Sequence, residues 1–217
     1  MSLGMMITQL AEGMWVSTQI FIVTLVFSLP LGLLVAFGRM SKNPVLRAIV
    51  KFYISIMRGT PLMLQLMVVY FGPYYLFGIR IKNNDYRLWA AFLGFVVNYA
   101  AYFAEIYRSG IQSMPVEQYE AAKLLGYSRS QTFFKIILPQ VMKRILPSVT
   151  NEVITLVKDT SLAFTISVVE MFTVAKALAS SQTSMVPFVA AGLFYYIFNL
   201  LVAMVMEQIE KKASYYQ

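Results

Sequence analysis

The chain has 217 residues, 59% of them hydrophobic and 13% charged, with a mean hydropathy of +0.65, which is too apolar for a soluble domain with an ordinary solvated surface. It contains neither cysteine nor histidine, so disulfides, thiolate metal sites and histidine-based acid–base chemistry have no residues to work with. The formal net charge of +8 does not imply a nucleic-acid partner, because the cations flank apolar runs, where they orient a chain in a bilayer.

A spanning helix takes about 20 mostly apolar residues. Five spans with short loops therefore account for the chain as one all-α transmembrane domain over residues 1–217. The first 38 residues hold no Lys or Arg and only Glu12, so they lack the basic start of a cleavable signal peptide. Residues 1–13 are expected to form an interfacial helix, and residues 15–37 the first span, with Pro30 and Gly32 tolerable inside it. A basic stretch follows, Arg39, Lys42, Arg47, Lys51 and Arg58. The second span is expected at 60–79, closed by a polar turn at Arg80, Lys82, Asn83, Asn84 and Asp85. The third is expected at 88–107.

Residues 108–144 are polar and amphipathic and form the longest loop. A fourth apolar stretch, 145–169, is interrupted by Glu152, Lys158 and Asp159, and a fifth covers 186–206, with the turn between them at 180–187. Thirteen cations fall on the side of the long loop and five on the other (Arg80, Lys82, Arg87, Lys158, Lys176). The excess puts that loop and the C-terminus in the cytoplasm and the N-terminus outside.

Within 111–139, Pro115 can open a helix that carries Glu117, Glu120, Ala121 and Ala122, and Gly126 stops it. Ser128 can cap a second helix bearing Phe133, Phe134, Ile136 and Ile137, which is expected to end near Pro139. Two short helices at a glycine bend, apolar on one side and cationic on the other, can plug a groove.

The run Glu120-Ala121-Ala122, three residues, Gly126, nine residues, Ile136, then Leu138-Pro139 resembles the "EAA" loop of binding-protein-dependent ABC importers. Arg58-Gly59-Thr60-Pro61, Ala104-Glu105-Ile106-Tyr107-Arg108 with Gly110-Ile111-Gln112, and Lys158-Asp159-Thr160-Ser161-Leu162 look like the polar amino-acid branch of these permeases, that of histidine, arginine and glutamine. Together the segments cover nearly all of 15–210. The resemblance implies a prokaryotic cell-membrane permease subunit, in a homodimer or a heterodimer with a related permease. It also implies a separate ATPase that binds ATP and Mg²⁺ and docks on Glu120, Ala121, Ala122, Gly126 and Pro139, and a periplasmic or surface-tethered solute-binding protein. No cofactor is expected in this chain, and no sequence of a glycine, four residues and Gly-Lys-Ser or Gly-Lys-Thr occurs to cradle a nucleotide.

Ionisable groups inside a span cost roughly 2.5–3.5 kcal/mol each on insertion scales, which makes Glu152 and Asp159 candidate solute ligands. Ser148, Glu152, Thr155 and Asp159 share one helical stripe, Asn98, Tyr102 and Glu105 another, and Thr60 with Gln65 adds polar atoms at the second span. A path lined by carboxylates and amides favours a cationic or zwitterionic solute: arginine, lysine or histidine, with glutamine or glutamate as the alternative. Glu152 is the first choice for the cationic side chain, while Asp159 can be structural. Interhelical hydrogen bonding is the competing reading of both stripes. An ion-coupled secondary transporter is a second class of reading, and it normally brings an internal repeat, which is not visible here. An embedded enzyme using Glu105, Glu152 and Asp159 is a third, without a nucleophile to support it.

Overall fold

The structure, a computed structural model, describes residues 2–79 and 85–213; the expected turn at Arg80, Lys82, Asn83 and Asn84 lies outside them. Among the described residues the ordered elements are all helical: α1 (Leu3–Arg39), α2 (Pro44–Gly59), α3 (Leu62–Phe77), α4 (Tyr86–Gln112), α5 (Val116–Leu124), α6 (Arg129–Gln131), α7 (Leu138–Asp159), α8 (Met171–Gln182) and α9 (Val186–Ala213). A π-helical stretch, Thr132–Ile137, joins α6 to α7, and a 3₁₀ stretch, Thr160–Ile166, extends α7.

α1 runs unbroken for 37 residues, so no separate interfacial helix precedes the first span. Gly13, at the expected boundary, serves close packing: a Cβ on it would stand 2.8 Å from the Met171 Cα of α8. At 1.5 Å per residue α1 is about 55 Å long, well beyond the roughly 30 Å hydrocarbon layer.

α4 packs most extensively on α1 and also meets α2, α3 and α7. It can do so because its buried face is rich in small residues, Ala90, Ala91, Gly94, Ala100, Ala101 and Ala104. Where no water is available to drive apolar burial, such residues let backbones approach closely. Gly32 shows how close: a Cβ there would lie 2.8 Å from Phe103 Cβ and 3.0 Å from the Ala100 carbonyl oxygen. The core around Ile20, Phe95, Phe103, Leu156 and Ile166 joins α1, α4, α7 and the 3₁₀ stretch.

α1, α4 and α9 are long and apolar enough to cross a membrane. Among the described residues two bent pairs bring the number to five if each serves as one span: α2 with α3, bent by 111°, and the helix from Arg129 to Ile166 with α8, bent by 61°. The second apolar run therefore does not stand alone. Its helix α3 stops at Phe77, where Gly78 adopts φ 67°, and it is preceded by α2, capped by the Asn43 side chain on the amides of Val45 and Leu46. α2 buries Ile54 and exposes Val45, Ile49 and Phe52, with Arg47 and Lys51 on another face. This is the pattern of a helix lying along an interface.

The fourth stretch also differs from the sequence expectation. α7 ends at Asp159, the chain turns at Ser167 with φ 60°, and α8 reaches Gln182 before Thr183 (φ 49°) turns into α9.

Candidate functional site

Glu105 lies near the α2 end of α4 and gathers three guanidinium groups. Arg108 grips both carboxylate oxygens at 3.0 and 3.1 Å from Nε and 2.7 Å from Nη2. Arg39 of α1 and Arg58 of α2 stand off at 3.9 and 3.8 Å. One carboxylate thus ties the ends of α1 and α2 to α4. The guanidinium of Arg58 also lies 5.3 Å from the centre of the Tyr102 ring, within cation–π range.

Beside this cluster opens a cavity of about 470 Å³ lined by Arg58, Tyr102, Glu105, Arg144, Ser148 and Glu152 among others. Arg144 donates to the Ser113 carbonyl at 2.7 Å and holds α7 against the end of α4. Glu152, half-buried on α7, faces the cavity with Ser148 one turn before it. Among the described residues it has no cation within ion-pair distance and no hydrogen-bond donor.

The other sequence-derived candidates divide into two groups. Asn98 is 3% exposed; its amide donates to the Met57 carbonyl at 3.1 Å and to Gln65 Oε1 at 2.9 Å. The Gln65 amide in turn donates to Thr60 Oγ1 at 2.8 Å and to the Met57 carbonyl at 3.0 Å. Thr60 and Asn98 are thereby joined through Gln65 across the sharp break between α2 and α3, where helix-end carbonyls need donors. Asp159 accepts a 2.7 Å bond from Tyr99, and Thr155, exposed, donates to the Asn151 carbonyl one turn back. The stripe is a helical face, but only Ser148 and Glu152 of it line the cavity, with Tyr102 and Glu105 from the second stripe.

Glu170 is the carboxylate that sequence reasoning overlooked. It is fully buried and caps α8, accepting from the backbone amides of Phe172 (2.7 Å) and Thr173 (2.8 Å), the Thr173 hydroxyl (2.9 Å) and Tyr195 (3.2 Å). Four donors on one carboxylate make it a junction of α8 and α9. The signal available was an acidic residue directly before the helix of 171–182, a position at which side-chain acceptors meet free amides.

The loop element is built as two parts of unequal length. α5 starts after Pro115 and ends in a Schellman turn, with the Gly126 amide on the Lys123 carbonyl, the Tyr127 amide on the Ala122 carbonyl (both 3.0 Å), and Gly126 at φ 81°. Ser128 then caps α6 reciprocally with Gln131. The second helix does not end near Pro139. Pro139 sits in the first turn of α7, directly after the π-helical stretch, where the Leu138 amide reaches back five residues to the Phe133 carbonyl. That register change carries the helix past a residue with no N–H to give.

Glu120 and Ala121 are exposed on α5, while Ala122 is buried beneath them. Leu124 and Leu125 stand in the open at 89% and 75% exposure. A cavity of about 700 Å³ lies between α5 and the π stretch, lined by Tyr119, Glu120, Lys123, Tyr127, Arg129 and Phe133 among others. Burial pushes the Tyr119 phenol above its ordinary range. Gln118 and Gln140 exchange two 3.0 Å bonds and lock α5 to α7. Phe37 of α1 meets Phe133 edge to face at 6.3 Å.

The family profile described as "Binding-protein-dependent transport system inner membrane component" matches residues 28–215. The chain is 35% identical over 202 residues to the arginine transport system permease protein ArtQ of Bacillus subtilis, covering 93% of this chain and 90% of that one. To the putative glutamine transport system permease protein GlnP of Rickettsia bellii it is 33% identical over 204 residues, covering 94% and 92%. The octopine transport system permease protein OccM of Rhizobium radiobacter is 38% identical over 196 residues, covering 85% and 79%. Among solved structures, an amino acid ABC transporter with histidines superposes with TM-score 0.85 at 27% identity, covering 94% of both chains. The MetNI methionine transporter shares the fold, at TM-score 0.77 and 20% identity, covering 99% of this chain and 100% of that one. The chain therefore belongs to the inner membrane components of binding-protein-dependent transport systems and is a multi-pass permease subunit of an amino-acid ABC importer, whose ATP is hydrolysed on a separate chain.

Proposed function

We propose that this permease moves a cationic amino acid, arginine, lysine or histidine, into the cell, with Glu152 receiving the cationic side chain. One observation carries the reading: a half-buried carboxylate on α7, the helix of the fourth apolar stretch, opens into a cavity without an ion-pair partner of its own. A carboxylate in that setting has a strong electrostatic preference for a cation. The arginine-named relative at 35% identity supports it.

Tyr102 shares the cavity, and Asn98, Thr60, Asp159 and Thr155 surround the path as solute-facing or path-shaping groups. Glutamine is the second reading, favoured by the relative named for it and by the amide and hydroxyl network of Asn98, Gln65 and Thr60. The working assembly pairs this chain with a second permease copy or relative, since one five-span protomer has little wall to enclose a gated pathway. The family implies an ATPase and a solute-binding protein as its other partners. We place the N-terminus outside and the C-terminus in the cytoplasm. Glu120, Ala121, Ala122, Gly126 and Pro139 then belong to the ATPase-facing element, the loop 111–139 of a single transmembrane domain over 1–217.

Purified complex reconstituted with its ATPase and binding protein tests the role of Glu152. Glu152→Gln is expected to lower arginine uptake at least tenfold while glutamine competes no worse than before. Unchanged arginine uptake rejects the assignment.

A further inference from the structure

Three guanidinium groups surround Glu105, but they are not equivalent. Arg108 occupies both oxygens in a bidentate grip as short as 2.7 Å, whereas Arg58 reaches only to 3.8 Å. The Arg58 side chain is 46% exposed, against 26% for Arg108 and 23% for Arg39, so it is the least committed of the three. It lines the same cavity as Glu152. The Tyr102 ring supports it from one side at 5.3 Å. Arg58 also sits in the last turn of α2, immediately before the 111° break, so any change at that break moves its charge.

A transport site must hold its solute and then let it go. A desolvated carboxylate that meets a cationic side chain with nothing to offset it holds too tightly for turnover, since conduction needs binding weak enough to leave. From this geometry we infer that Arg58 is the release cation of the pathway: a tethered guanidinium, parked between Glu105 and Tyr102, that competes with the solute's cationic side chain for Glu152. Arg58 is thus a specificity-determining residue, weakening the hold on cationic solutes without touching neutral ones. Glu105 is its positioning residue. The inference rests on the proposed role of Glu152, and it adds a counter-charge supplied by the protein.

Equilibrium binding of arginine and of glutamine to the purified permease–ATPase complex tests it, using wild type, Arg58→Gln, Arg58→Lys, Glu152→Gln and the Arg58→Gln/Glu152→Gln double variant. Arg58→Gln is expected to tighten arginine binding about tenfold, to leave glutamine within twofold, and to lower both the KM and the maximal rate of arginine uptake. Arg58→Lys should restore wild-type values, and the gain should vanish in the double variant. Unchanged or weaker arginine binding by Arg58→Gln, equal tightening of both solutes, or failure of Arg58→Lys to restore the wild-type values overturns the inference. If Glu152→Gln alone leaves arginine binding intact, it is the Glu152 assignment that fails.

Discussion

At the scale of single residues, the two functional regions are controlled by opposite kinds of atom. In the proposed pathway the deciding group is Glu152, a carboxyl group left open to the cavity. At the loop it is Gly126, the absence of a side chain at φ 81°. A β-branched residue in the left-handed region costs on the order of 1–2 kcal/mol and favours straightening of the chain. Gly126→Val is therefore expected to disturb only the bend, because nothing packs where its Cβ would go. Solute-stimulated ATP hydrolysis should fall severalfold in the reconstituted complex, while helical content and the thermal midpoint of the isolated permease stay near wild type. Stimulation that survives intact would remove Gly126 from any coupling role.

At the scale of helices, the sequence was most legible where one element carries its own start and stop signals. Pro115, Gly126 and Ser128 act within a turn of themselves, and each does in the structure what its local chemistry dictates. Pro139 misled, because a proline that ends an isolated helix is accommodated by a π-helical register that no short-range signal announces. The extra helix α2 was read as a basic stretch, since its exposed apolar side and its cationic side make sense only once it lies beside α1 and α4. Likewise, Ser148, Glu152, Thr155 and Asp159 were visible as one stripe, but their separation into a cavity pair, a backbone-bonded Thr155 and a Tyr99-bound Asp159 depends on which neighbour faces each turn. Helix contacts also set the harshest substitution. Gly32→Leu would drive four heavy atoms into Phe103 and the Ala100 carbonyl, and overpacking of this kind costs about 1–3 kcal/mol or more. A thermal midpoint lowered by about 5 °C or more in detergent is expected, and an unchanged midpoint would show that α1 and α4 can part freely.

At the scale of the molecule, the cation excess on the loop side predicts a topology with a convenient assay. The natural chain has no cysteine, so single cysteines introduced at Ser2 and at Ser128 report their own exposure. An impermeant maleimide applied to intact cells is expected to label the Ser2 variant and to spare the Ser128 variant; the reverse pattern would invert the orientation. The proposed coupling passes motion from the loop to the pathway through the π-helical stretch Thr132–Ile137. A π turn stores one residue more than the α-helix around it, so α6 and α7 keep a common rotational phase with that residue taken up between them. Inserting one alanine after Val141, in the regular part of α7 between the π stretch and Glu152, should swing the Glu152 face by about 100° relative to α5. The expected result is a folded, ATPase-binding permease that no longer carries solute, as a gear train fails when one wheel is set a tooth out of step though every wheel still turns.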